Sequence, residues 1–276
     1  MRYTISNGAF TVEDYDFFTP DVTFDCGQCF RFSRSDDGVW SGIASGIFFT
    51  VKEDGGKLYI TCPSEEALTD TVLPFLALDT DYRAIRKDIS GHFAGDETMA
   101  KAMKAGEGIR ILRQDAWEAL ASFILSQNNN IPRIKSLVNT ICLRYGKDLG
   151  NGNYAFPTPQ ALRDAGVEGL RECRMGFRAG YLYDAACRVC DGRTDLAEIA
   201  AMSTDDAREA LKQIKGVGDK VAACTMLFGM GKTDAFPIDV WMKRIIDDYY
   251  SGHLDPTALG HYAGIAQQYL FYYIRG

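Results

Sequence analysis

The sequence holds no run approaching the about 18 uninterrupted apolar residues of a membrane-spanning helix. Its first ten residues, MRYTISNGAF, lack the basic-then-apolar pattern of an export signal. Both absences lead us to expect an intracellular, soluble protein with no membrane partner. No internal repeat or low-complexity segment is present. A net charge of −7 withholds the whole-chain basicity that usually marks nucleic-acid binding. That total conceals a distribution, however. Acidic residues crowd the N-terminal part (Glu13, Asp14, Asp16, Asp36, Asp37, Glu53, Asp54), whereas lysines and arginines gather in NIPRIK, LRECRMGFR and REALKQIKGVGDK.

The eight cysteines do not make a disulfide scaffold, since 276 residues with 46% hydrophobic side chains can bury a core without staples. Two pairs have CxxC spacing, Cys26/Cys29 and Cys187/Cys190, but they lie too far apart in sequence for a zinc ribbon. Cys187 and Cys190 fall in a helical run, where residues three apart are same-face neighbours. A metal site is not expected.

What is present divides the chain in two. Residues 1 to about 62 alternate aromatic and β-branched residues around DDG and EDGG, both hairpin-turn signals. From about residue 64 the period becomes helical, with Ser64 and Asp115 placed as N-caps and Trp117, Leu120, Phe123 and Ile124 on one stripe. Thr158 with Pro159 reads as a helix start and Gly166 as its stop. The expected fold is α+β: an antiparallel β-rich domain over residues 1–98, then a larger mostly α-helical domain over 99–276.

Within the helical part, TDDAREALKQIKGVGDKVAACTMLFGM reads as two helices around a tight turn. Thr204 or Asp205 would cap the first, Leu211 and Ile214 supply its apolar face, and the second would begin near Asp219. Gly216, Val217 and Gly218 form the turn, with backbone N–H groups directed outward. Amides exposed at a helix start make an anion site, and phosphate is the obvious anion. An ordinary glycine-containing turn fits the same residues. The downstream GMGKTD imitates the end of a P-loop, but the earlier glycine that motif needs is Met226. Lys220 lies in the first turn of the second helix, where the positive dipole end and partial burial beside Cys224 and Phe228 disfavour an ammonium. Those conditions suit an amine nucleophile. Asp239, in DAFPIDVW, sits ahead of an amphipathic helix as an N-cap, a role that also holds a carboxylate rigidly.

The stretch LKQIKGVGDKVAACTMLFGMGKTDAFPIDVW resembles the helix-hairpin-helix Gly/Pro–Asp signature of the DNA glycosylase superfamily, with the lysine of its bifunctional glycosylase/lyase branch. CGQCFRF (26–32), SQNNNIPRI (126–134) and YAGIAQQYLF (262–271) narrow the resemblance to 8-oxoguanine DNA glycosylases, in order and almost end to end. The resemblance implies a helical domain of two lobes and a base-excision-repair enzyme acting as a monomer on double-stranded DNA. That enzyme flips out and excises 8-oxoguanine and then cleaves the strand through a lysine Schiff base. It implies Lys220 as nucleophile and Asp239 as its carboxylate. The lesion carries an N–H at N7 where guanine has an acceptor, so the carbonyl of Gly27 would read it. Gln267 would bond the Watson–Crick edge, and Cys224 and Phe271 would sandwich the ring. Asn128 would fill the vacated gap, Arg133 and Arg178 would contact the orphaned cytosine, and Phe177 would be the wedge, where tyrosine is common. No cofactor is implied, and no cysteine follows Cys224 to build the iron–sulfur cluster of another branch. Two departures stand out. Trp241 occupies a position where relatives often have a histidine that meets phosphate, and the sequence ends soon after Phe271, which suggests looser opposite-base discrimination.

Overall fold

Alternating burial builds the N-terminal sheet. In the computed structural model, which describes residues 1–6 and 8–275, the strands are Arg2–Ser6 (β1), Ala9–Glu13 (β2), Phe32–Arg34 (β3), Trp40–Ala44 (β4), Ile47–Asp54 (β5) and Lys57–Thr61 (β6). Their order is β1-β2-β6-β5-β4-β3. Phe10 and Val12 pair with Ile60 and Leu58, and Ile60 pairs again with Val51. These residues are buried, while the alternate Tyr59 faces out, so the period of two fixes the register. Phe32 stacks on Phe24 at 4.4 Å and on Phe75 at 5.5 Å between ring centroids. The EDGG turn is a two-residue hairpin closed by Asp54 and Lys57, with Gly55 and Gly56 at φ +58° and +73°, the left-handed pair such a turn demands. A short helix, Pro20–Asp25, interrupts the strands. Six residues are too few to show a helical period; the start is marked only locally, by Thr19 at the N-cap position, Pro20 at the first helical position and Asp21 in the first turn.

The helix starts follow the caps. Ser64, Asp115 and Thr158 accept from the amides of Ala67, Glu118 and Ala161. Gly166, at φ +66°, breaks the helix it was expected to end, but helical turns resume beyond it to Glu172. The helix Ala116–Ser126 is buried from Ala119 to Ser126 on every face rather than along one stripe, as a helix central to its unit should be.

The chain forms two compact units. One comprises Met1–Gly42, Ile47–Arg113 and Thr233–Gly276; the other comprises Ile43–Gly46 and Gln114–Lys232. This division differs from one at residue 98, because the C-terminal helix Ala263–Arg275 packs against Glu97–Ala105 and Val240–Tyr250 in the first unit. Arg110 is the polar centre of that unit, only 1% exposed. Its guanidinium donates to the carbonyls of Asp16, Phe17, Ala77 and Thr80 and lies 4.4 Å from the Tyr82 ring centre. Among the described residues, no helix is long and apolar enough to cross a membrane.

Candidate active site

In the second unit the hairpin begins one residue earlier than its sequence suggests. Ser203, not Thr204 or Asp205, caps the helix Thr204–Lys212: its Oγ accepts from the Asp206 amide at 3.2 Å and donates to Asp206 Oδ2 at 2.6 Å. Reciprocal bonding to Asp206 selects serine among the candidate caps in STDD. Leu211, Ile214 and Val217 are buried. Gly216 takes φ +81°, and a Cβ there would sit 2.2 Å from the Tyr181 ring. Gly218 is different, with extended backbone (φ −103°, ψ −175°) and open space where a side chain would be. Not every turn amide points outward, since Lys215 N–H is taken by Asp184 Oδ2 at 3.0 Å and Val217 N–H by the Ile214 carbonyl. The second helix, Asp219–Gly229, starts on Gly218 with no side-chain cap, which suits its first amides to an anion.

Lys220 is half-buried, and its amine donates to Ser126 Oγ at 2.9 Å. The Ser126 hydroxyl in turn donates to the Phe123 carbonyl at 2.8 Å, so its lone pairs are what Lys220 meets. Lys220 Nζ also lies 5.0 Å from the Phe123 ring centre, and Phe123 stacks on Phe228 at 5.3 Å. Cys224, one turn beyond Lys220, is buried. The sequence shows Phe123 on an apolar stripe and Ser126 at the head of SQNNNIPRI, but does not place either beside Lys220. Their signal is a serine and an aromatic, three apart on the helix that runs into the asparagine loop. Lys232 of the false P-loop gives its amine to the Met202 carbonyl.

The same unit gathers Asn128, Arg133, Phe177 and Arg178. Asn128 adopts φ +49°, and Asn130 caps the next helix by accepting from Arg133 N–H at 2.9 Å. Arg178 donates to the carbonyls of Gln127, Asn128 and Met175, and Arg133 to that of Arg174 at 2.7 Å. Burial, then the neighbouring Arg133 charge, hold the Arg178 guanidinium below its ordinary pKa. Phe177 is 51% exposed, with the Arg178 guanidinium 4.6 Å from its ring centre. The ring is thus left open to solvent on an exposed surface, with a cation packed against its face.

In the first unit, Asp239 caps Val240–Tyr250, its Oδ1 accepting from Met242 N–H at 2.9 Å. Around it Ile238, Val240 and Trp241 are exposed, and the Arg244 guanidinium lies 5.0 Å from the Trp241 ring centre. Gln267 is 4% exposed, and its Oε1 has no hydrogen-bond partner. An unsatisfied buried carboxamide costs stability, which is reasonable where a ligand supplies the missing donor. Phe271 follows one turn on, half-buried, with the Arg275 guanidinium 5.3 Å from its ring centre. Gly27 sits at φ +79° between Cys26 and Gln28, both fully buried.

Residues 10–120 match the N-terminal domain of 8-oxoguanine DNA glycosylase, and residues 121–259 match the HhH-GPD superfamily of base-excision DNA repair proteins. The chain belongs to this glycosylase family. An 8-oxoguanine glycosylase/lyase from Clostridium acetobutylicum, solved without DNA, is 38% identical with a TM-score of 0.92 and covers 98% of each chain. The same enzyme solved with double-stranded DNA carrying cytosine opposite 8-oxoguanine is 37% identical, TM-score 0.92, covering 100% of this chain and 98% of that one. The N-glycosylase/DNA lyase of Saccharomyces cerevisiae is 32% identical over 200 residues, which is 67% of this chain and 52% of the yeast protein. Membership in the glycosylase family accounts for the β-rich N-terminal region and for the hairpin. The boundary between the two matches, at residues 120 and 121, falls inside the central helix Ala116–Ser126 and so coincides with no linker.

Proposed function

We propose that the protein is a bifunctional 8-oxoguanine DNA N-glycosylase and abasic-site lyase. The observation that carries this reading is the seating of Lys220: an amine on an uncapped helix start, directed by Ser126 and covered by the Phe123 ring. A lysine meant only for solvent or for phosphate needs no such holder.

In the proposed mechanism the hairpin amides grip a phosphodiester while Phe177 and Asn128 fill the stack from which the base has left, and Arg133 and Arg178 meet the orphaned cytosine. Gln267 accepts from the Watson–Crick edge of the flipped base through its Oε1, the Gly27 carbonyl accepts the N7–H, and Cys224 and Phe271 hold the ring. Asp239 stabilises the positive charge that develops on the sugar as the glycosidic bond breaks. The neutral Lys220 amine attacks C1′ as the base departs with the bonding electrons. Loss of the amine proton and opening of the sugar give the Schiff base. Removal of a C2′ proton then expels the 3′ phosphate by β-elimination. No step calls for a cofactor. The protein would work as a monomer wherever its cell keeps DNA, in cytoplasm and nucleoid or in a nucleus.

Borohydride reduces a Schiff base to a stable amine, so incubation with 8-oxoguanine duplex and borohydride should yield a covalent protein–DNA adduct. Lys220→Gln should give none while still binding the duplex. An adduct from that variant, or none from the wild type, would overturn the role of Lys220.

A further inference from the structure

The Gly27 loop is held from both sides by buried glutamine side chains. Gln268, 2% exposed, donates its Nε2 hydrogen to the Cys26 carbonyl at 2.7 Å. Gln28 is fully buried and anchors the other flank. Its Nε2 donates to the carbonyls of Thr23 at 2.9 Å and Arg110 at 2.7 Å, and its Oε1 accepts from Leu112 N–H at 2.8 Å. Cys26 Sγ–H reaches the Thr23 carbonyl at 3.1 Å, and the Thr23 hydroxyl donates to the Gly108 carbonyl at 2.8 Å. Gly27 at φ +79° is suspended between these anchors.

The Cys26 carbonyl and the Gly27 N–H share one rigid peptide plane. Gln268 therefore fixes the plane that enters Gly27, while Gln28 fixes the residue that leaves it. With both ends held, the Gly27 carbonyl has one orientation. Gln268 is also the immediate neighbour of Gln267, whose Oε1 is buried and unpartnered. One turn of the C-terminal helix thus carries a candidate base reader and the clamp on the loop that carries the other. A position needed only for packing is filled at lower desolvation cost by leucine or methionine.

We propose that Gln268 is a positioning residue for lesion recognition, holding the Cys26–Gly27 peptide so that the Gly27 carbonyl stands at a fixed offset from the Gln267 carboxamide. This inference rests on the 8-oxoguanine reading above. Misaiming that carbonyl weakens the bond to the N7–H of the lesion and relaxes the repulsion of guanine's N7 lone pair. An abasic site carries no base, so cleavage there is indifferent to Gly27.

The experiment compares wild type with Gln268→Met, similar in length but lacking a donor, on three duplexes under single turnover: 8-oxoguanine, guanine and a preformed abasic site, each opposite cytosine. Loss of one buried hydrogen bond should slow 8-oxoguanine excision roughly tenfold, with abasic cleavage within about twofold of wild type on the same scale of effects. The preference for 8-oxoguanine over guanine should narrow accordingly. Equal losses on lesion and abasic duplexes, or no loss on either, overturn the proposal. Should Gln268→Met fail to fold, Gln268→Leu supplies the same comparison. A wild-type protein that leaves 8-oxoguanine in place sinks the functional reading itself, whereas normal wild-type excision with an unaltered variant sinks only the role of Gln268.

Discussion

Asp239 has one observed task and one proposed task, and a pair of substitutions can separate them. Its Oδ1 caps the helix Val240–Tyr250 through Met242 N–H, and the same carboxylate is the proposed partner of the developing sugar cation. Asn retains a carbonyl oxygen able to cap and loses the charge. Asp239→Asn should therefore melt close to wild type yet excise 8-oxoguanine about a hundredfold more slowly, the scale of losing a preorganised electrostatic group. Asp239→Ala should lose activity similarly and also about 1 kcal/mol of stability, because the cap goes as well. Melting curves beside single-turnover rates test both. Near-wild-type excision by Asp239→Asn would confine Asp239 to capping. Asp239 was legible in sequence because an Asp ahead of an amphipathic helix announces a cap. The holders of Lys220 were not: Ser126 lies 94 residues upstream, and only the packing of two buried helices brings it to the amine.

At the scale of the element, the hairpin glycines turn out to be unequal. The sequence shows G-V-G and invites one explanation for both. Gly216 is required by the fold, through φ +81° and the Tyr181 ring against its missing side chain, whereas Gly218 is extended with open space beside it. Gly216→Ala should destabilise the protein by roughly 2 kcal/mol or more, from backbone strain plus overpacking. Gly218→Ala should leave the melting temperature nearly unchanged and weaken duplex binding, since a methyl group there stands where a phosphate would approach the helix start. Thermal melts and binding titrations at one fixed salt concentration decide it. Unaltered binding by Gly218→Ala would remove the hairpin from the DNA interface. The cap of the first helix shows the same limit of local reading. STDD offers a row of competent N-caps, and the one used is set by the reciprocal Ser203–Asp206 pairing.

On the scale of the whole molecule, alternation gave the sheet and helical period gave the helices, but neither reports which distant segments share a core. The C-terminal helix docks with the N-terminal half, and its contact from Gln268 to Cys26 spans 242 residues. That long-range closure carries a pH signature. Burial pushes the Cys26 thiol from its ordinary value of 9.0 up to about 12. In the unfolded chain the thiol ionises near pH 9, whereas in the fold it stays protonated, so its contribution is complete below pH 9 and is lost as pH rises toward about 12. From pH 9 to pH 10 the loss is about 1 kcal/mol for a fully buried group. The buried tyrosines Tyr82 and Tyr269 are also raised, from an ordinary 10.0, and add to the decline at higher pH. Cys26→Ala begins less stable, having lost the bond to the Thr23 carbonyl, but should decline less steeply than wild type between pH 9 and 10. Denaturant titrations at half-unit intervals of pH measure that difference in slope, and parallel curves would show that this thiol ionises as readily in the fold as outside it.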